Sequence, residues 1–130
     1  MIVLDENFPE SQRQLLRGWR FHIHQVGYEV GRKGLTDVEI IPLLLQLRSP
    51  TFFTLDSDFY KPKLCHSRYC LVHVDVGQYE AATFIRRFLS HSKYNTKNKR
   101  KGGVMRVSHT GISMWRLHAE KEEFYNWENR

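Results

Sequence analysis

The chain has 130 residues and a formal net charge of +6, enough for one domain with one core and basic enough to suit a polyanionic partner, nucleic acid first, or to be plain solubilising charge. Its longest apolar segment, "IIPLLLQL", is far short of the roughly 20 residues a membrane span needs, and the N-terminus lacks both a basic region and a long apolar stretch. Two cysteines, Cys65 and Cys70, are too few for a disulfide framework or a structural zinc site, which leaves free thiols and a soluble, cytoplasmic protein as the expectation.

"MIVL" is a short β-branched run that ends on Asp5. "NFPESQRQLLRGW" predicts a helix with Asn7 as N-cap, Glu10 three positions later and Pro9 in the tolerant first turn. "FHIHQVGYEV" reads as a strand broken at Gly27, and "GRKGL" as a loop. "TDVEIIPLLLQLR" opens with the capping-box pair Thr36 and Glu39 and is apolar nearly all round, so it predicts a buried helix that Pro42 kinks or delays. "TFFTL" is a continuous apolar strand ending on Asp56, and "YCLVHVDV" is another. "QYEAATFIRRFLSH" places Ala81, Phe84, Ile85 and Phe88 at helical spacing, with Arg86 and Arg87 pointing away. "SKYNTKNKRKGG" predicts a loop or mobile basic linker, "VMRVSHTGISMWRL" a β-hairpin turning at Thr110 and Gly111, and "HAEKEEFYNWENR" a charged end with a short helix at most. Apolar strands alternating with helices indicate an α/β fold: a central, mainly parallel sheet covered on both faces, plus a C-terminal β-hairpin.

The acids fall in a pattern on this scheme. Asp5 closes the first strand, Asp56 the third, Asp58 lies just beyond it, and Asp37 opens the buried helix. Ligand sites of open α/β sheets form at the carboxyl ends of strands and the adjoining helix N-termini, so the four can converge on one edge. Converging carboxylates raise one another's pKa unless a cation neutralises them, and an all-oxygen set suits Mg²⁺ or Mn²⁺. Several Asp around such an ion, with a phosphate as its remaining partner, are the apparatus of phosphodiester hydrolysis. Each acid also has an ordinary role open to it. Asp37 can be a helix-N-terminal acid, Asp5 a turn residue and Asp58 a cap. Glu6 and Asp75 lie at strand ends too and read as surface charges, while His22 and His24 share a strand face without a third ligand.

"IVLDENFP", "GLTDVEI" and "FFTLDSDFY" resemble the PIN-like family of small proteins, related to the PilT N-terminus ribonucleases and to the toxins of toxin–antitoxin pairs. The resemblance covers roughly residues 1–90. It implies a three-layer α/β/α sandwich in which Asp5, Asp37, Asp56 and Asp58 are the catalytic and metal-binding residues, with Thr54 and Phe59 in support; Glu6, beside Asp5, is a further candidate support. The implied activity is a Mg²⁺- or Mn²⁺-dependent endoribonuclease acting on RNA, the toxin of a type II pair neutralised by a small antitoxin, with a homodimer left open. The corresponding division is a nuclease core over 1–92, a basic linker over 93–103, and a hairpin with charged tail over 104–130 on the same domain. Lys97, Lys99, Arg100 and Lys101 in the linker, and Arg32 and Lys33 before Asp37, are candidate nucleic-acid contacts or else solvated charges. The alternative is a non-catalytic nucleic-acid- or partner-binding module on a degenerate PIN-like scaffold; an α/β phosphatase using the same acids ranks last.

Overall fold

A computed structural model of the chain describes residues 1–127. The apolar runs at Ile2–Leu4 (β1), Thr51–Thr54 (β3) and Cys70–Val74 (β4) pair parallel and are almost wholly buried, as a sheet covered on both faces requires. Ile23–Gln25 (β2) lies parallel outside β1, and Val104–Val107 (β5) parallel beside β4. Gly111–Trp115 (β6) and Glu123–Asn126 (β7) follow antiparallel. The result is one mostly parallel seven-stranded sheet in the order β2-β1-β3-β4-β5-β6-β7.

Side chains alternate across it with the period of a strand. Leu4, Phe53, Val72 and Met105 face the helices Glu10–Gly18 (α1) and Ala81–Ser90 (α3), packed with Leu16, Ile85 and Phe88. Val3, Phe52, Leu71 and Val104 face the opposite way, toward Ile40 and Leu44 of Asp37–Gln46 (α2). At about 25 cal/mol per Å² of apolar surface, each fully buried Leu or Phe contributes roughly 1.5–3 kcal/mol, so both faces are needed to hold the strands rigid.

The strand order carries the functional consequence. From β1 the chain passes through α1 to β2 on one side, then through α2 to β3 on the other side of β1. Two crossovers of the same hand in opposite directions land on opposite faces, and their divergence opens a crevice between the carboxyl ends of β1 and β3. Thr36 fixes where α2 starts: its N–H and its hydroxyl both donate to Glu39 Oε1, at 3.1 and 2.9 Å. The helix continues through Pro42 to Gln46. No helix among the described residues is long and apolar enough to cross a membrane.

Three sequence expectations need correction. Helix α1 starts at Glu10, with Pro9 at the cap rather than Asn7, because the Pro9 carbonyl accepts the Gln12 N–H at 3.0 Å. The segment 93–103 is not a free linker. Tyr94 is fully buried and stacked on Phe88 with centroids 5.2 Å apart, and Lys97–Arg100 forms a short helix, α4. Arg86 and Arg87 stay off the buried stripe of α3, as expected, with their guanidinium groups 4.7 and 4.3 Å from the Trp19 and Trp127 ring centroids. The charged end supplies β7 instead of a helix, and residues 104–126 extend the central sheet through β4; the last three positions of the tail lie outside the described residues.

Burial of Tyr94 separates two variants. Tyr94→Ala empties a core site and should lower stability by about 3–5 kcal/mol in urea unfolding. Tyr94→Phe removes only a buried hydroxyl without a hydrogen-bond partner, and should be neutral or stabilising. Equal behaviour of the two would contradict a packed segment.

Candidate metal centre

The rigid parallel pair β1–β3 positions two of the four aspartates. The Asp5 amide donates to the Phe53 carbonyl at 2.9 Å, which continues the ladder one residue past β1. Thr54, the last residue of β3 and fully buried, then joins the two strand ends by its hydroxyl. It donates to Asp5 Oδ2 at 2.7 Å and accepts the Asp56 N–H at 3.1 Å. Asp5 Oδ1 accepts the Glu6 N–H at 2.8 Å, and Asp56 Oδ1 accepts the Asp58 N–H at 2.9 Å, closing the turn that swings Asp58 back.

Asp37 arrives from the other side of the crevice at the first position of α2. The loop before it is tied down by Glu6, whose Oε1 accepts the Gly34 N–H at 2.8 Å. Gly34 has φ +81°, a left-handed conformation that glycine adopts without strain. Carboxylate oxygens of Asp37, Asp56 and Asp58 come within 4.8 Å of one another. Asp5 stands behind this trio, close enough to act on Asp37 electrostatically.

Burial raises the Asp5 pKa first, and the charge on Asp56 adds to it, against the lowering effect of the Thr54 and Glu6 hydrogen bonds. The Asp37 pKa is raised by desolvation, then by the charges of Asp56 and Asp5, by a hydrogen bond with the Asp56 carboxyl, and by Asp58. No Lys or Arg among the described residues pairs with any of the four aspartates, in a chain with 20 basic residues. An acid with a higher pKa folded than unfolded binds its proton more tightly in the native state. Its ionisation therefore destabilises the fold, by nothing well below the ordinary value of 3.8 and increasingly as the pH rises above it.

These residues fit a hard divalent cation. The donors are all carboxylate oxygens, their charges are uncompensated, and a spread of 4.8 Å needs only a small inward movement to meet one ion at 2.0–2.6 Å from each oxygen. Each Asp5 oxygen accepts one hydrogen bond, and a carboxylate has about four acceptor sites, so capacity remains for a water or a cation.

The basic residues divide between two edges. Arg32 and Lys33 lie in the loop that leads to Asp37, but Arg32 is paired with Glu39 at 2.8 Å and Lys33 lies 5.2 Å from the Tyr28 ring centroid. Lys97, Lys99, Arg100 and Lys101 are at the opposite edge, by the amino ends of β3 and β4. Arg100 is buried there, its Nε donating to Thr51 Oγ1 at 2.9 Å and its NH1 to the Tyr94 carbonyl at 2.7 Å, so it is a structural clamp and offers nothing to a nucleic acid. Lys99 Nζ is likewise held by the Ser92 carbonyl and Asn95 at 2.8 and 3.0 Å.

Sequence reasoning missed the row beside Thr54. His73 of β4, Arg106 of β5 and Ser113 of β6 continue it across the sheet in register. His73 is buried with Nδ1 unpartnered, and burial lowers its pKa, while Arg106 lies 3.7 Å from Asp75 with its Nε unpartnered. The signal was available: a polar residue inside each of three successive apolar strands, His73 opposite Thr54, Arg106 opposite His73 and Ser113 opposite Arg106. No protein-family model, curated protein or solved structure matches the chain.

Two outcomes follow from this geometry. Thr54→Val strips a donor from Asp5 and an acceptor from the Asp56 amide, and should cost about 1–3 kcal/mol in urea unfolding. Asp56→Asn keeps an acceptor for the Asp58 amide but removes a like charge. Without metal it should raise Tm by about 1–4 °C at neutral pH, a gain that shrinks as the pH falls toward 4. A loss of Tm instead would contradict uncompensated repulsion.

Proposed function

We propose that the chain is a Mg²⁺- or Mn²⁺-dependent phosphodiesterase that cleaves RNA internally, on a PIN-like fold. The observation that carries this reading is the convergence of Asp37, Asp56 and Asp58, with Asp5 behind them, at the switch point of the sheet and without a basic partner among the described residues. RNA as substrate, and a role as the toxin of a type II pair held by a small antitoxin, rest on the resemblance of residues 1–90 and on the net charge of +6.

In this reading Asp37, Asp56 and Asp58 hold the ion. A bound Mg²⁺ or Mn²⁺ offsets charge on the phosphodiester and lowers the pKa of a nucleophilic water. Asp5 takes the proton of the attacking water; its raised pKa brings it nearer the working pH of a general base. Thr54 and Glu6 position it, through the hydroxyl and the amide that hold its two oxygens. The crevice supplies no cysteine for covalent catalysis: Cys70 is buried, with its thiol pushed up to about 12, and Cys65 is also raised by burial.

A metal-independent binding module is the second reading. A groove of about 550 Å³ at the opposite edge is lined by Arg68, Lys99, Lys101 and Arg116 and by no acid. Such a surface would bind a polyanion with strong salt dependence and no need of metal.

One assay separates the two. Purified protein on RNA should cut in Mn²⁺ or Mg²⁺ and stop in EDTA. Asp56→Asn should lose more than about 100-fold in rate, and Thr54→Val about 10–100-fold, the range for a residue that orients a metal ligand. Salt-sensitive RNA binding that ignores EDTA, with no cleavage by the wild type, would overturn the hydrolase in favour of the binding module.

A further inference from the structure

A cavity of about 270 Å³ opens beside the aspartates, between the first turn of α2 and the loop after β3. Asp37 and Asp58 belong to its lining, so it is continuous with the candidate metal centre. Its apolar wall comes from Val38, Ile41, Phe59 and Leu64. Val38 keeps 80% of its surface exposed, so the core makes almost no use of it. The lining also contains Lys61 and Lys63, both exposed, and neither pairs with an acid among the described residues. Their presentation is built in. Pro62 between them forces Lys61 into extended backbone, with φ −141° and ψ 130°, and starts a 3-10 turn at Pro62–Leu64 that carries Lys63.

Two lysines on a cavity shared with Asp37 and Asp58, yet not paired with them, call for an anion that approaches the acids from this side. An anionic strand entering the crevice is repelled by Asp37, Asp56 and Asp58, and a cationic rim on the same cavity offsets that repulsion for the strand. The volume is just under the 300–1,000 Å³ of ordinary small-molecule pockets, the size of a single nucleotide rather than a duplex. The apolar wall offers contact area for the face of a ring.

We propose that this cavity seats one nucleotide of the substrate strand next to the scissile bond, with its base on Val38, Ile41 and Leu64 and its phosphate held by Lys61 and Lys63. The proposal rests on the phosphodiesterase reading of the acid cluster. Because the wall facing the base is apolar, Phe59 included, the seat accepts any base and contributes affinity and register more than sequence choice.

The test is isothermal titration calorimetry of the full chain with AMP, UMP and inorganic phosphate, in Mg²⁺, beside an RNA cleavage assay. Wild type should bind both nucleotides, and more tightly than inorganic phosphate. Lys61→Ala/Lys63→Ala should weaken both nucleotides by at least about tenfold, the loss of charge-assisted hydrogen bonds. Val38→Asp should weaken the nucleotides toward the affinity of phosphate, and Arg48→Ala, exposed in the loop before β3, should leave them unchanged. Circular dichroism and melting establish that each variant is folded. Equal affinity of wild type for nucleotide and phosphate, no nucleotide binding at all, or undiminished binding by the folded lysine variant would each overturn the seat. RNA cleavage by wild type alongside undiminished binding by the lysine variant rejects the seat and keeps the hydrolase. Loss of binding in the lysine variant, with no cleavage by wild type, supports the seat and rejects the hydrolase.

Discussion

Mutual repulsion of like charges is the constraint around which this structure is arranged. Three carboxylates within 4.8 Å, and a fourth behind them, are an unfavourable assembly in a chain of only marginal stability. Among the described residues no lysine or arginine pairs with it, although the chain has 20 of them. The assembly persists because its mounts are stiff. β1 and β3 are central strands packed on both faces, Thr54 ties their ends, and Glu6 fastens the loop that delivers Asp37. Strain of this kind, held by the surrounding core, is what a site prepared for a cation needs before the cation arrives.

The topology decides where the assembly forms. The order β2-β1-β3 sends α1 and α2 to opposite faces, so a crevice opens beside Asp5 and Asp56, and the start of α2 closes it with Asp37. The capping pair Thr36 and Glu39 therefore has two consequences: it starts a helix, and it sets the distance of Asp37 from the strand ends. The opposite edge serves a different purpose. There Arg100 spends its guanidinium on Thr51 and Tyr94, and the basic residues around it flank a groove with no acid.

Much of this was legible from residue pattern. Unbroken apolar runs announced buried parallel strands, and an acid directly after each of two such runs placed both at one sheet edge by the rule of carboxyl ends. The capping box located α2 and so Asp37. What was not legible were contacts made over long range. Tyr94 and Arg100 sit in a stretch whose lysines dominate its composition, and only packing against Phe88 and Thr51 shows that two of its residues belong to the core. In "HAEKEEFYNW" the alternation is short and its outward residues are charged or aromatic, so strand β7 becomes visible only once β6 offers it an edge. Lys61 and Lys63 form no pattern of their own in the sequence, because what they share is a cavity with Val38, far away along the chain.

The central claim is that the crevice between β1, β3 and α2 is a divalent-cation site. Anomalous diffraction from crystals soaked in Mn²⁺ addresses it directly, without reference to any substrate. The account predicts a strong anomalous peak between the carboxylates of Asp37, Asp56 and Asp58, within reach of Asp5, and its loss in Asp56→Asn. A peak elsewhere on the molecule, or an unoccupied crevice with the four side chains unmoved, would contradict it.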